Sequence, residues 1–242
     1  LPPSKFGVQT QDSSEIYHTF EKIQNLRPMT NNPNLMGLLQ GALNDNMIDQ
    51  LSKQLGGADK KQTAAAASGI VATLVGALAQ NASTAEGAQS LNKALERDHD
   101  GSVLNDLMGA LTGKSQAVPP RAVNGAGILD HVLGNRQSGA VQMISKLSGL
   151  DASKTNNLMA MLAPVVLGSL GKAKREQGLD VAGIVSMLSG TVSSQQQGNP
   201  TMNLIMSFLG NKKGGGQQSG NLMGDVAKVG MNLLGGFLKG KR

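Results

Sequence analysis

Glu96, Asp98 and Asp100, followed by Gly101, occupy the first, third, fifth and sixth positions of a calcium-loop pattern in ERDHDGSVLNDL. That pattern needs a bidentate glutamate at its twelfth position, where this chain has Leu107. Capping of the next helix by Asp100 or Ser102 is the expected role, with an adventitious weak cation site as the alternative. GALTGKS, residues 109–115, is similar to a phosphate-cradling loop, but only Ala110, Leu111 and Thr112 separate Gly109 from Gly113 where four residues are needed. The stretch also follows a helical pattern rather than a strand, so Gly113 reads as a helix terminator. The histidines are His18, His99 and His131, none at i+3 or i+4 from another, and a three-histidine zinc site is not expected. The chain has no cysteine, which excludes thiol nucleophiles, thiolate metal sites and disulfides. No Gly-x-Ser-x-Gly elbow occurs, and Asp98 and Asp100 fall in a solvated turn rather than in a pocket that would raise a carboxyl pKa. The reading nominates no catalytic residue, no cofactor and no metal site.

The elements that would position any such groups are helical. From Leu35 to Leu209 the apolar residues recur with helical spacing, and no stretch alternates for long enough to propose a strand. The punctuation predicts helices over about 34–43, 47–55, 60–80, 84–96, 102–111, 126–133, 139–148, 153–173, 180–189 and 201–209. Gly56, Gly57, Gly113, Gly134, Gly149 and Gly190 follow apolar runs and are read as stop signals. The fold class is all-α: a multihelical globular bundle from a duplicated helical unit, with a flexible C-terminal linker and an amphipathic helix.

The duplication is read from an ungapped offset of 92 residues. LGGADKKQTAAAASGIVATLVGAL superposes on LSGLDASKTNNLMAMLAPVVLGSL, pairing Gly57 with Gly149, Asp59 with Asp151, Thr63 with Thr155 and Gly76 with Gly168. Gly57 and Gly149 would end one helix, and Asp59 and Asp151 would cap the next by accepting from its first free N–H groups. The ladder Ala66, Ile70, Leu74, Leu78 repeats as Leu158, Leu162, Val166, Leu170, and the remaining faces are mostly apolar too, which places both helices at the centre of the fold. Gly76 and Gly168 would allow close backbone approach, and Pro164 should kink the second helix. A smaller echo pairs GSVLNDLMG with AGILDHVLG across a linker containing Pro119 and Pro120.

The core must be built almost without aromatic rings. The four Phe and single Tyr lie at positions 6, 17, 20, 208 and 237, leaving Leu, Ile, Val, Met and Ala to fill it. Met143, Met159, Met161 and Met187 read as core filler, although methionine also repacks around varied partners. The chain is 16% charged, against about 25% in an average domain. Its net charge of +6 is local: residues 198–242 contribute six cations against Asp225 alone, while the rest is near neutral. Scattered cations without aromatic partners argue against specific nucleic-acid binding.

Residues 1–28 are set apart as an extension, and 29–190 form the duplicated domain, with halves of about 34–113 and 122–190. Residues 191–220 are expected to be a Gln/Gly/Ser-rich linker with one apolar island from Met202 to Leu209. Residues 221–242 form a basic amphipathic tail, with Leu222, Val226, Val229, Leu233 and Phe237 in one stripe and Lys228, Lys239, Lys241 and Arg242 available for interaction. That tail could dock on the core, pair with another chain or lie on an anionic membrane. No run of 18 apolar residues and no secretory signal pattern is recognised, so a cytoplasmic location is expected.

GADKKQTAAAASGIVATLVGALAQNASTAEGAQSL, then HDGSVLNDL, GILDHVLG and LDASKTNNLMAMLAPVVLGSLGKAKREQGLD together resemble the bacterial domain of unknown function 937, related to the YidB-like proteins, over about residues 34–190. The resemblance implies a multihelical bacterial domain and carries no activity, cofactor or catalytic residue. The expectation for function is a non-enzymatic structural or interaction domain, with a protein partner or self-association. The alternative is weak contact with an anionic membrane or polyanion through the tail.

Overall fold

The computed structural model describes residues 35–104, 123–197 and 199–210. Among the described residues there is no strand, and the chain is all-α. The helices are α1 (Leu35–Ala42), α2 (Asp45–Gln54), α3 (Lys60–Asn81), α4 (Ala85–Arg97), α5 (Gly125–Leu133), α6 (Gln137–Ser148), α7 (Ala152–Gln177), α8 (Val181–Gln196) and α9 (Pro200–Gly210). Short 3₁₀ turns occupy Ser102–Leu104 and Gly134–Arg136.

α3 and α7 are the two central helices and pack on each other. Around α3 lie α2, α5, α6, α8 and α9, and around α7 lie α1, α4, α5, α6 and the Ser102–Leu104 turn. The centrality follows from composition: a helix apolar on every face must be enclosed on every face. Ile70, Leu74, Leu158, Leu162 and Leu170 are each no more than 1% exposed. Burying one such side chain contributes about 2 kcal/mol. Pro164 is buried inside α7.

α3 has the length and apolar content to cross a membrane, and 61% of its most apolar window is buried within the fold. An enclosed central helix has the same composition.

The termini are built by the residues on either side of them. Asp59 accepts a 2.9 Å hydrogen bond from the Gln62 N–H, and Asp151 accepts from Ser153 and Lys154 at 2.8 and 3.2 Å. The Thr63 hydroxyl donates to the Asp59 carbonyl at 2.8 Å, and that of Thr155 to the Asp151 carbonyl at 2.9 Å. Gly57 and Gly149 turn the chain ahead of these caps with φ of +75° and +74°, a region in which a Cβ is strained.

Two expectations are corrected. Gly190 does not stop a helix: α8 runs through it to Gln196, because Thr191 and Val192 continue the buried stripe of Ile184 and Leu188. The linker assigned to 191–220 does not begin there either. Residues 191–196 finish α8 and 200–210 form α9, whose Met202, Leu204, Ile205 and Leu209 are buried. Gln, Ser and Gly composition suggested a linker, but the helical spacing of a few apolar residues seats α9 against α3 and α8.

Candidate functional site

Charged side chains in α4 and in the turn after it pair with those near the end of α7, where the two helices pack. The carbonyl of Ala94 accepts from the His99 N–H at 3.1 Å, which tucks His99 under the helix end. Its carbonyl oxygen lies so close to Gly171 of α7 that any Cβ there would overlap it. Gly101, at φ +95°, approaches Lys172 less closely: a Cβ there would lie 2.8 Å from the Lys172 Cβ and 3.1 Å from its Cα.

Ion pairs flank this backbone contact. Lys174 donates to Glu96 at 3.0 Å, Arg175 lies 3.6 Å from Asp100, and Lys172 lies 3.8 Å from Glu176 within α7. The Lys174 hydrogen bond, helped by one from Asn92, holds the Glu96 carboxyl below its usual range. Hydrogen bonds from Ser102, its backbone N–H first, do the same for Asp100, with Arg175 adding charge attraction. His99 is only 6% exposed, and burial depresses its pKa against the opposing pull of Asp98 and Asp100. Asp49, at a separate site, is lowered to about 2 by hydrogen bonds from Lys53 and Lys60.

Buried polar groups are normally paired, so the exceptions matter. Among the described residues, the buried side-chain atoms without a hydrogen-bond partner are Asn92 Oδ1, His99 Nδ1, Ser169 Oγ and Gln177 Nε2. All belong to α4, to the turn after it, or to α7.

Two clefts open beside α7. One, about 320 Å³, is lined by Leu38, Gly41, Ala42, Asn44, Met47, Leu104, Ser169 and Lys172. The other, about 560 Å³, lies against the N-termini of α6 and α7 and carries the neutral polar groups Asn135, Gln137, Ser138, Gln142 and Asn156. Gln137 and Asn156 are hydrogen-bonded to each other across it at 3.0 Å.

The residues singled out from sequence fall as follows. The calcium-like carboxylates are turned to other work: Glu96 and Asp100 pair with α7, and Asp98 ends α4. Among the described residues no three metal-ligating side chains gather. His131 is exposed on α5. Gly76 faces side chains of α9, where a Cβ would meet Leu209 and Met206 at 3.0 Å, and Gly168 is buried in α7. His18, the GALTGKS stretch and the tail residues Lys228, Lys239, Lys241 and Arg242 lie outside the described residues.

Sequence reasoning missed the glycines that bring backbones together. These are Gly171 under His99 and Gly125, which lies against the Ala160 carbonyl. It also missed Arg136, which donates to Gln80 of α3 and, at 3.0 Å, to the Leu209 carbonyl of α9. Ser169 lies inside an apolar run three residues before Lys172, and nothing in the sequence marks its hydroxyl as buried and unpaired.

The family model described as bacterial protein of unknown function (DUF937) matches residues 37–173. No curated protein and no solved structure matches the chain. The matched span covers α3 and all but the last turn of α7, ending one residue before Lys174, and on that match the chain belongs to the bacterial DUF937 family.

Proposed function

We propose that the chain is a non-enzymatic structural or protein-interaction domain built on a duplicated helical unit. The observation that carries this reading is the use made of its polar residues. Glu96 and Asp100, in and just after α4, pair with Lys174 and Arg175 of α7 and act as fasteners. Ser169 and Lys172 stand on one face of α7, yet the Ser169 hydroxyl has no hydrogen-bond partner and therefore no base poised to take its proton.

The duplication draws support from helix order. α1–α4 and α5–α8 follow each other as short, short, long, medium, and the aspartates capping α3 and α7 stand 92 positions apart. The halves also exchange partners, since α4 packs on α7 while α8 packs on α3. An exchanged pair of this kind favours one cooperative unit over two independent ones.

Affinity capture from native lysate, followed by reconstitution with the purified partner, tests the interaction. The expected result is a stoichiometric complex, with the same chain or with another protein, whose mass is fixed by light scattering. A strict monomer that gives no complex and turns over a substrate would contradict it.

A second reading rests on charge: residues 198–242 carry a net +5 of the chain's +6. Contact with an anionic membrane or polyanion through 221–242 predicts co-sedimentation with anionic vesicles that disappears with the tail and weakens steeply with salt.

A further inference from the structure

We infer that the turn from Asp98 to Leu104 is an acid-released latch: protonation of His99 frees it from α7 while the rest of the fold stays intact. This goes beyond the interaction role proposed above and does not depend on it.

The closed position leaves the ring no place for a second proton. His99 is buried, and its carbonyl oxygen fills the space that a Cβ at Gly171 would occupy. Its Nδ1 is buried without a hydrogen-bond partner. A neutral imidazole meets that condition by carrying its proton on Nε2, which leaves Nδ1 an unpaired acceptor. An imidazolium bears an N–H on both nitrogens, so protonation in place would set a charged donor at Nδ1 opposite no acceptor. An unmatched buried charge costs more than an unmatched neutral group, and the cost is relieved when the ring turns out to water.

The surrounding charges hold the latch without reaching the ring. α4 packs on α7 and α8, and the Ser102–Leu104 turn packs on α7. α8 has no ionisable side chain between Val181 and Gln196. The last turns of α7 carry Lys172, Lys174, Arg175 and Glu176, while the end of α4 and its turn carry Lys93, Glu96, Arg97, Asp98 and Asp100. Glu96 is taken by Lys174 and Asp100 by Arg175, and no carboxylate bonds to Nδ1. Asp98 and Asp100 favour the charged ring, but in the closed turn burial outweighs them. Once the turn opens, burial is gone and the two flanking carboxylates remain, so the same neighbours stabilise the released state. Little else opposes release. The backbone bonds particular to the turn run from the His99 N–H to the Ala94 carbonyl and from the Leu104 N–H to the Gly101 carbonyl, both 3.1 Å. The Asp100–Arg175 pair is exposed and contributes little.

The sign follows from which form takes the proton. Below pH 6.5 the open turn binds it and the closed turn does not, so opening grows as the pH falls, until the closed form titrates as well. One proton limits the growth to about tenfold per pH unit.

Hydrogen exchange of the full-length protein, followed by NMR between about pH 7.5 and about pH 5 and corrected for intrinsic rates, tests the latch. The His99 and Leu104 amides should show opening constants at least about tenfold larger than those of Ile70–Leu78. Those constants should rise with acid by up to about tenfold per unit. The His99 ring signals should move toward those of a solvated histidine over the same range, with the exposed His131 as reference. His99→Gln, which has no proton to gain there, should leave the Leu104 amide with a pH-independent opening constant. Turn amides that open only together with the core, an opening constant that ignores pH, or a His99 ring that gains its proton while the turn stays protected would each overturn the inference. If His99→Gln fails to fold, the comparison of turn and core amides in the unaltered chain still decides it.

Discussion

α3 and α7 start alike and end differently. Each opens on an aspartate that caps its first turn, and each continues through a fully buried aliphatic ladder. From there α3 stays uncharged, with no ionisable side chain between Lys61 and Glu86, whereas the last turns of α7 carry Lys172, Lys174, Arg175 and Glu176. The buried unpartnered side-chain atoms follow the same division: among the described residues none lies on α3, and all four lie on α7 or on the α4 segment that meets it. A helix enclosed by apolar neighbours has nothing left to react with, so α3 is the axis of the fold. α7 serves the same purpose over its first half and presents polar groups over its second. Binding or regulation, wherever it arises in the described residues, is best sought along α7.

Deep truncations should erase the difference, because both helices are core. Leu74→Ala in α3 and Leu162→Ala in α7 should each cost about 3 kcal/mol, read from urea unfolding. A cost under about 1 kcal/mol at either position would mean that helix is not central.

Glycine substitutions should expose the difference. Gly171→Ala pushes a methyl group into the His99 carbonyl oxygen and should destabilise by about 2 kcal/mol despite alanine's better helix propensity. Gly69→Ala in α3 meets only Ile144 carbons at 3.6 and 3.7 Å and should instead stabilise by about 0.5 kcal/mol. Thermal unfolding of the two variants gives opposite signs if the α4–α7 contact is as tight as described.

The caps offer a finer comparison. Asp59→Ala and Asp151→Ala should each cost about 1 kcal/mol, with Asp151 at the higher end because it accepts two N–H groups. Chemical denaturation of both variants under one buffer condition measures the gap.

His99 has the smallest effect at neutral pH, where it is uncharged in both states. Burial sets its folded pKa below the ordinary 6.5, so below that pH the unfolded chain binds more protons than the folded one. Stability should therefore fall as the pH drops through 6.5, and the loss should stop growing once the lower folded pKa is passed. His99→Gln should flatten the melting temperature over this range. Asp49, Glu96 and Asp100, all lowered in the folded state, lose their contributions only as the pH falls below their ordinary values of 3.8, 4.5 and 3.8, so the His99 loss begins at the higher pH.

Local chemistry was legible in the residues and tertiary chemistry was not. Periodicity and the absence of alternation are enough to read the all-α class, and the quoted motifs are enough to read the family. Met202, Ile205 and Leu209 have helical spacing, but their place beneath α3 depends on Gly76 and on Arg136, which lie 133 and 73 residues from Leu209. The burial of His99 was equally hidden. Its neighbours Asp98 and Asp100 suggest a solvated turn, and only the absence of a Cβ at Gly171, 72 positions on, lets the chain tuck inward. The Ser169 hydroxyl sits in the middle of an apolar run, where sequence alone does not distinguish a bonded serine from an unbonded one.

Native-state hydrogen exchange tests the central proposal, that α3 and α7 form one cooperative core. Amides of Ile70–Leu78 and Leu158–Leu170 should exchange only through global unfolding, with one shared opening free energy equal to that from denaturation. Two distinct values, with either helix opening while the other stays protected, would mean that the halves fold separately and would contradict the account.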